Sequence, residues 1–143
     1  DVERSRGLGD VYKRQDQGLD LKGKLINKAR DRSEAKEQLM KMSGSIHTLI
    51  TATTVAQDNN IIWKYVDRSK MHMRKLSEDL IKEYLNKVDD NILGLVGVYA
   101  IEEEGIKLFE NIGSDLFSIQ GISLIQLTQF LWDNNLLFEN NGT

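Results

Sequence analysis

Residues 16–28, DQGLDLKGKLINK, constrain the fold more than any other stretch of the chain. Leu19 and Leu21 alternate with Asp20 and Lys22, the period of a strand with one buried face. Lys22-Gly23 supplies a turn and Leu25-Ile26 a return strand, so the segment reads as a tight hairpin. On this reading Asp16-Gln17 lie at the mouth of one strand and Asn27-Lys28 near the exit of its partner. Opposite charges at a sheet end suit an anionic ligand held together with a metal ion. The plainer reading of the same residues is a solvated hairpin with ordinary surface charges.

Composition narrows the function classes. The 143 residues fit one domain with a real core, or part of a larger one, and 40% hydrophobic with 29% charged residues is an ordinary soluble mixture. A net charge of −3 gives no global basic field, so nucleic acid is not an expected partner. Without cysteine there is no disulfide, thiol nucleophile or cysteine-ligated metal. No apolar run approaches the roughly 18–20 residues of a membrane span, and no signal-type apolar region opens the chain. A cytoplasmic location is the expectation. Proline is also absent.

Residues 1–15, DVERSRGLGDVYKRQ, are charged, glycine-containing and poor in core residues. They resemble adapter-like translated ends and are set apart from the fold, as a non-native or disordered segment. The domain itself is expected over 16–133, with 134–143 as a frayed tail.

Along that domain, residues 31–42 read as a helix capped by Asp31 or Ser33, with Ala35, Leu39 and Met42 on one face and Gly44 as its stop. Residues 45–56 read as a strand buried or half-buried through Ile46, Leu49, Ile50 and Val55. Asp58-Asn59-Asn60 turns the chain into a second long strand over 61–74. Residues 77–87 form a helix capped by Ser77, with Leu80, Ile81, Tyr84 and Leu85 as its stripe. Residues 91–101 are apolar, with Gly94 and Gly97 leaving room for close backbone approach. A strand is expected over 106–112, a loop or short extension over 114–119, and a last helix over 121–132 with Ile122, Ile125, Leu127, Phe130 and Leu131 mostly in the core. Strands mixed with helices predict a layered α/β or α+β domain.

Six pieces, in order, carry a family resemblance: DQ at 16–17, GKLINKARDRSEAKEQL at 23–39, SGSIHTLITA at 43–52, MRKLSEDLIKEYL at 73–85, VGVYAIEEEGIKLFENI at 96–112 and DLFSIQGISL at 115–124. Together they resemble the Maf (septum-formation-type) nucleoside triphosphate pyrophosphatases. The Asp-Gln at 16–17 is similar to the branch acting on 7-methyl-GTP. The resemblance implies a Maf/inosine-triphosphatase-like mixed twisted sheet with flanking helices, of which the N-terminal part is missing here. It implies hydrolysis of a nucleoside triphosphate to the monophosphate and pyrophosphate with a divalent cation, Mg or Mn, and possible homodimers. Asp16 stands where the family's catalytic aspartate accepts the proton of the attacking water, and is the metal-binding candidate. Lys28 stands at a lysine that would neutralise phosphate oxygens. Gln17 and Glu102 fall where the family varies with the base, and Asp115 matches an aspartate that either orients the substrate or caps a turn. His47 and His72 read as structural, Arg74, Ser77 and Tyr84 as architecture, and Glu103 and Glu104 as a solvated acidic loop.

Three departures from the family matter. Its Ser-Pro-Arg-Arg-type phosphate loop and an accompanying acidic residue and lysine have no counterpart in 1–15. Prolines are replaced at Ala29, Ser123 and Gln126, and loss of proline at Ala29 is expected to free the backbone around Lys28. Gly113-Ser114 stands where Glu-Gly is usual before Asp115. The chain alone is therefore expected to have little or no pyrophosphatase activity, and the competing reading is a non-catalytic α/β interaction module on the same scaffold.

Overall fold

Lys22 and Gly23 take φ of 54° and 88°, and Asp58 and Asn59 take 50° and 66°. Two successive positive φ values are the signature of a two-residue hairpin turn whose twist matches its strands. In the computed structural model, which describes residues 2–4, 11–113, 116–121 and 123–138, these turns join β2 (Val11–Leu21) to β3 (Lys24–Leu25) and β4 (Ile46–Gln57) to β5 (Asn60–Met73). The first hairpin pairs Asp20 with Leu25 and Leu21 with Lys24, and the Asp20 side chain accepts from the Gly23 N–H at 2.8 Å. With β1 (Val2–Arg4) and β6 (Phe109–Ile112) the strands form one sheet in the order β1-β2-β4-β5-β6, β3 pairing with β2. Among the described residues four α-helices accompany it: α1 (Arg32–Met42), α2 (Glu78–Lys87), α3 (Leu116–Ile119) and α4 (Leu124–Asp133). The mixed α/β class expected from the sequence is the class observed. Among the described residues no helix is long and apolar enough to cross a membrane.

The chain divides into two compact units, one of residues 1–17, 51–67 and 116–143, the other of residues 18–50 and 68–115. In the first, Val11, Val55 and Leu127 form a buried cluster against which Trp63, Phe130 and Leu131 pack. The Trp63 and Phe130 rings stack at 5.3 Å. α4 begins at Leu124 rather than at 121 and turns Ile125 out to solvent, so only Leu127 of its apolar residues is fully buried. The stretch 114–119, read as a loop, contains α3. Ser114, Asp115, Ile122 and the end of the tail lie outside the described residues.

In the second unit, Asp31 caps α1 by accepting from the Glu34 N–H, and Ser77 caps α2 through the Leu80 N–H, as their sequences predict. Ala35, Leu39 and Met42 are buried where α1 packs on α2. The carbonyls that end α2 are unsatisfied within the helix, and Arg32 meets them, donating to Leu85 O and to Val88 O at 2.7 Å. Leu80, expected in the stripe, is 49% exposed. The expected 106–112 strand is shorter, because a 3-10 turn over Glu104–Leu108 precedes β6. Gly105 sits so close to the Ala100 carbonyl that a Cβ would lie 2.4 Å from its oxygen, and this packing holds the turn.

The apolar stretch 91–101 is two 3-10 turns rather than one regular element. Its two glycines differ. A Cβ at Gly97 (φ 79°) would lie 2.6 Å from Tyr99 Cε2 and 2.7 Å from Leu19 Cδ1, whereas one at Gly94 would meet nothing within 4 Å. Positive φ and steric overlap together predict that Gly97→Ala costs about 2–4 kcal/mol in urea unfolding, and that Gly94→Ala stays within about 1 kcal/mol of the parent. Equal effects at the two positions would contradict this packing.

Candidate active site

Alternation along β2 decides what its polar residues do. Successive side chains of a strand point to opposite faces. Leu19 and Leu21 are buried, and Gln17 shares their parity, while Asp16 shares the parity of exposed Arg14. Asp16 and Gln17 are thus neighbours in sequence but point to opposite faces of the strand. The strand also begins at Val11, so Asp16 lies inside it rather than at its mouth, and residues 11–15 of the segment set apart in the sequence are strand. The Asp16 side chain is 64% exposed and lies 3.4 Å from the Arg14 Nε. A pair this open in solvent contributes little to stability, so the carboxylate is left available.

Gln17 is occupied. Its amide nitrogen donates to Ile119 O at 2.8 Å and Thr51 Oγ1 at 3.2 Å, with Ser118 O at 3.4 Å. Three acceptors around one NH2 group fix the amide's orientation. Thr51 in turn donates to Ser118 O at 2.7 Å. The atom Gln17 has left for a ligand is its carbonyl oxygen, which has no donor among the described residues. Gly121 (φ 118°) passes over this amide, and a Cβ there would stand 3.6 Å from that oxygen.

β4 supplies the partners because its buried face is not the one its isoleucines suggest. His47, Leu49, Thr51, Thr53 and Val55 point inward, whereas Ile46 is half exposed. Thr53 accepts from the Ser123 N–H at 3.3 Å, and Ser118 and Ser123 share a hydroxyl hydrogen bond of 3.1 Å. A proline at 123, which the resemblance leads one to expect, would offer no N–H for Thr53 and no hydroxyl for Ser118. The inward threonines were missed in the sequence, although Thr at alternate positions of a strand was the available signal.

Lys28 is exposed in the second unit, between β3 and α1. Its backbone is less free than the missing proline suggests: the Asn27 carbonyl accepts from Gln38 Nε2 at 2.8 Å, and Ala29 is buried. Glu102 is exposed and lines a cavity of about 180 Å³ with Asp89, Asn91 and Glu103. Glu104, read as part of a solvated loop, is bound by Lys107 at 2.6 Å, which holds its carboxyl below the usual range. Asp115 lies outside the described residues.

His47 is structural, as expected. Its Nε2 shares a 2.9 Å hydrogen bond with the Tyr99 hydroxyl, and Phe109 closes on it edge-on at 5.8 Å. Burial pushes the imidazole down to about 4 and Tyr99 upward, so both stay neutral. Tyr84 donates to Val98 O at 2.6 Å and Arg74 to Lys107 O at 3.1 Å, the architectural roles expected of them.

The family model described as Maf-like protein matches residues 14–134. A "Nucleoside triphosphate pyrophosphatase" of Caulobacter vibrioides is 40% identical over 116 residues, covering 81% of this chain and 58% of the relative. A "7-methyl-GTP pyrophosphatase" of Bartonella henselae is 43% identical over 112 residues, covering 78% of this chain and 57% of the relative. A "Nucleoside triphosphate pyrophosphatase" of Nitrobacter hamburgensis is 40% identical over 122 residues, 85% of this chain and 60% of the relative. The chain therefore spans less than two thirds of the length of these relatives.

Two outcomes test the local chemistry. Thr51→Val leaves the Gln17 amide and Ser118 carbonyl each short of a partner, and is expected to cost about 1–3 kcal/mol in chemical denaturation, with Thr51→Ser restoring most of it. For His47, the unfolded chain takes up a proton near pH 6.5 while the folded one does so only near 4. The folded state is therefore favoured fully above pH 6.5, and this contribution, of order 1–3 kcal/mol, is lost as the pH falls toward 4. Nitrogen-15 spectra of the ring at pH 5.5 should show a neutral imidazole; an imidazolium there would contradict the burial argument.

Proposed function

Because the chain belongs to the Maf family, we propose that it carries nucleoside triphosphate pyrophosphatase chemistry, with 7-methyl-GTP as the preferred substrate class. The observation that supports this reading is the open Asp16 carboxylate, in a chain 40% identical over 116 residues to a protein named nucleoside triphosphate pyrophosphatase; the family resemblance makes that carboxylate the proposed base. Water is a poor nucleophile, and a carboxylate that takes its proton as it attacks the α-phosphorus raises the rate by a factor of about 10²–10⁴. Lys28, exposed on a backbone anchored on both sides, supplies positive charge for phosphate oxygens.

A divalent cation belongs to the same proposal. Among the described residues no three His, Asp or Glu side chains gather into a metal-binding group, and Asp16 offers one carboxylate. Mg²⁺ is commonly held by one or two carboxylates, with substrate phosphates and water completing its shell. The donor chemistry thus fits a cation that arrives with the triphosphate. When bound, it would neutralise phosphate charge.

Gln17 and Glu102 support the choice of base. With its NH2 group committed, Gln17 offers only an acceptor, and the Glu102 carboxylate is an acceptor too. Each therefore asks for a donor. The guanine edge has two, a ring N–H and an amino group, while uracil and thymine have one. A carboxylate further favours a cationic methylated base. A cytoplasmic location and a homodimer fit this reading, and nucleic acid does not.

The second reading, a non-catalytic interaction module, is favoured by one observation: the amide of Gln17 is spent on Thr51 and Ile119. Joining residues 16–143 to the preceding segment of the Caulobacter vibrioides relative separates the two. Pyrophosphate release is expected from the joined protein and little from the chain alone, with 7-methyl-GTP turned over faster than UTP or dTTP. Asp16→Asn should lower turnover at least about 10²-fold without shifting the melting temperature. Full activity in Asp16→Asn removes Asp16 as the base, and a preference for UTP or dTTP refutes the proposed base selectivity.

A further inference from the structure

Apart from the residues proposed for the pyrophosphatase chemistry, the second unit holds a cavity of about 270 Å³ beside α2. Its floor is apolar, made by Leu76, Leu80, Tyr84 and Leu108. This explains why Leu80, on the helix's apolar stripe, remains half exposed: it faces an open hollow rather than a neighbouring element.

The charges at its rim are not equivalent. Lys107 is bound to Glu104 at 2.6 Å, and Lys87 lies 3.4 Å from Glu83. Both lysines are answered by a neighbouring carboxylate. Arg74 spends its Nε on the Lys107 carbonyl, which anchors the root of the guanidinium and leaves its two Nη groups without a partner among the described residues. Lys75, beside it, also has no carboxylate among the described residues. The rim therefore carries two unanswered positive charges next to an apolar floor.

We propose that this cavity binds a small amphipathic anion, with its oxyanion head on Arg74 and Lys75 and its apolar body against Leu76, Leu80, Tyr84 and Leu108. A water molecule takes up about 30 Å³ of the liquid, so 270 Å³ holds a body of roughly nine heavy atoms. A polar body would leave the leucines wet, and a neutral head would leave the cations unpaired; an anion with an apolar tail satisfies both. The cations are exposed, so binding weakens as salt rises. The proposal is independent of the pyrophosphatase reading, since none of these residues is assigned to that chemistry.

The test titrates the full nitrogen-15-labelled chain with octanoate, 1-octanol and octylamine, and with phenyl phosphate against phenol. Shift changes should concentrate at Leu76, Leu80, Tyr84 and Lys107. Octanoate should bind at least about tenfold more tightly than octanol, and octylamine no more tightly than octanol. Lys75→Gln should weaken octanoate at least about threefold and leave octanol unchanged, while Leu80→Asn, at a half-exposed position, should weaken both. Phenyl phosphate binding more tightly than octanoate identifies a phosphate head, and the reverse order a carboxylate; either supports the site. Equal affinity for octanoate and octanol, shifts scattered over the chain, or octanoate binding untouched by Lys75→Gln overturns it.

Discussion

Two threonine hydroxyls on the inner face of β4 hold the first unit's polar interior together. Thr51 bridges the Gln17 amide to the Ser118 carbonyl, and Thr53 takes the N–H of Ser123. The stretch 118–123 leaves one helix and enters another, so its backbone groups cannot all be satisfied by helical bonds. Buried without partners they would each cost about 1–3 kcal/mol. The strand hydroxyls, the Gln17 amide and the Ser118–Ser123 pair meet several of these demands at once. A residue of the expected base-reading pair is thereby also a structural strut, and only its carbonyl oxygen stays uncommitted.

The second unit solves a similar problem with an aromatic pair. His47 and Tyr99 are buried and neutral, and they share the Nε2–hydroxyl hydrogen bond, while His47 Nδ1 has no partner among the described residues. The turn that brings Tyr99 into place depends on Gly97, whose hydrogen leaves the space filled by the Tyr99 ring and the Leu19 methyl. The following residue, Val98, is itself at φ 63°, a conformation that β-branched residues avoid. Its carbonyl is held by the Tyr84 hydroxyl. Strain in the backbone is thus offset by packing and a hydrogen bond from α2.

Much of this was legible in the residues. Lys22-Gly23 and Asp58-Asn59 announce their turns through local backbone preference, and Asp31 and Ser77 announce their helix starts through capping chemistry; both are short-range effects. The alternation around Leu19 and Leu21 also gave the parity of β2. What the residues alone concealed was non-local. The inward face of β4 carries His47, Thr51 and Thr53 because their partners, Tyr99, Ser118 and Ser123, are distant in sequence and polar. Isoleucines at 46 and 50 therefore pointed to the wrong face. The 3-10 turn before β6 was hidden for the same reason, since it follows from Gly105 meeting Ala100. At the candidate site, the exposure of Asp16 suits a base, but its place within the strand rather than at its mouth came only from the full length of β2.

The functional account rests on Asp16 directing water onto the α-phosphorus of a nucleoside triphosphate. Hydrolysis in oxygen-18 water by the protein joined to its relative's preceding segment tests this most directly. Attack at the α-phosphorus places the heavy oxygen in the nucleoside monophosphate and leaves the pyrophosphate unlabelled. Label in the pyrophosphate, or equal label release by the Asp16→Asn protein, would contradict it.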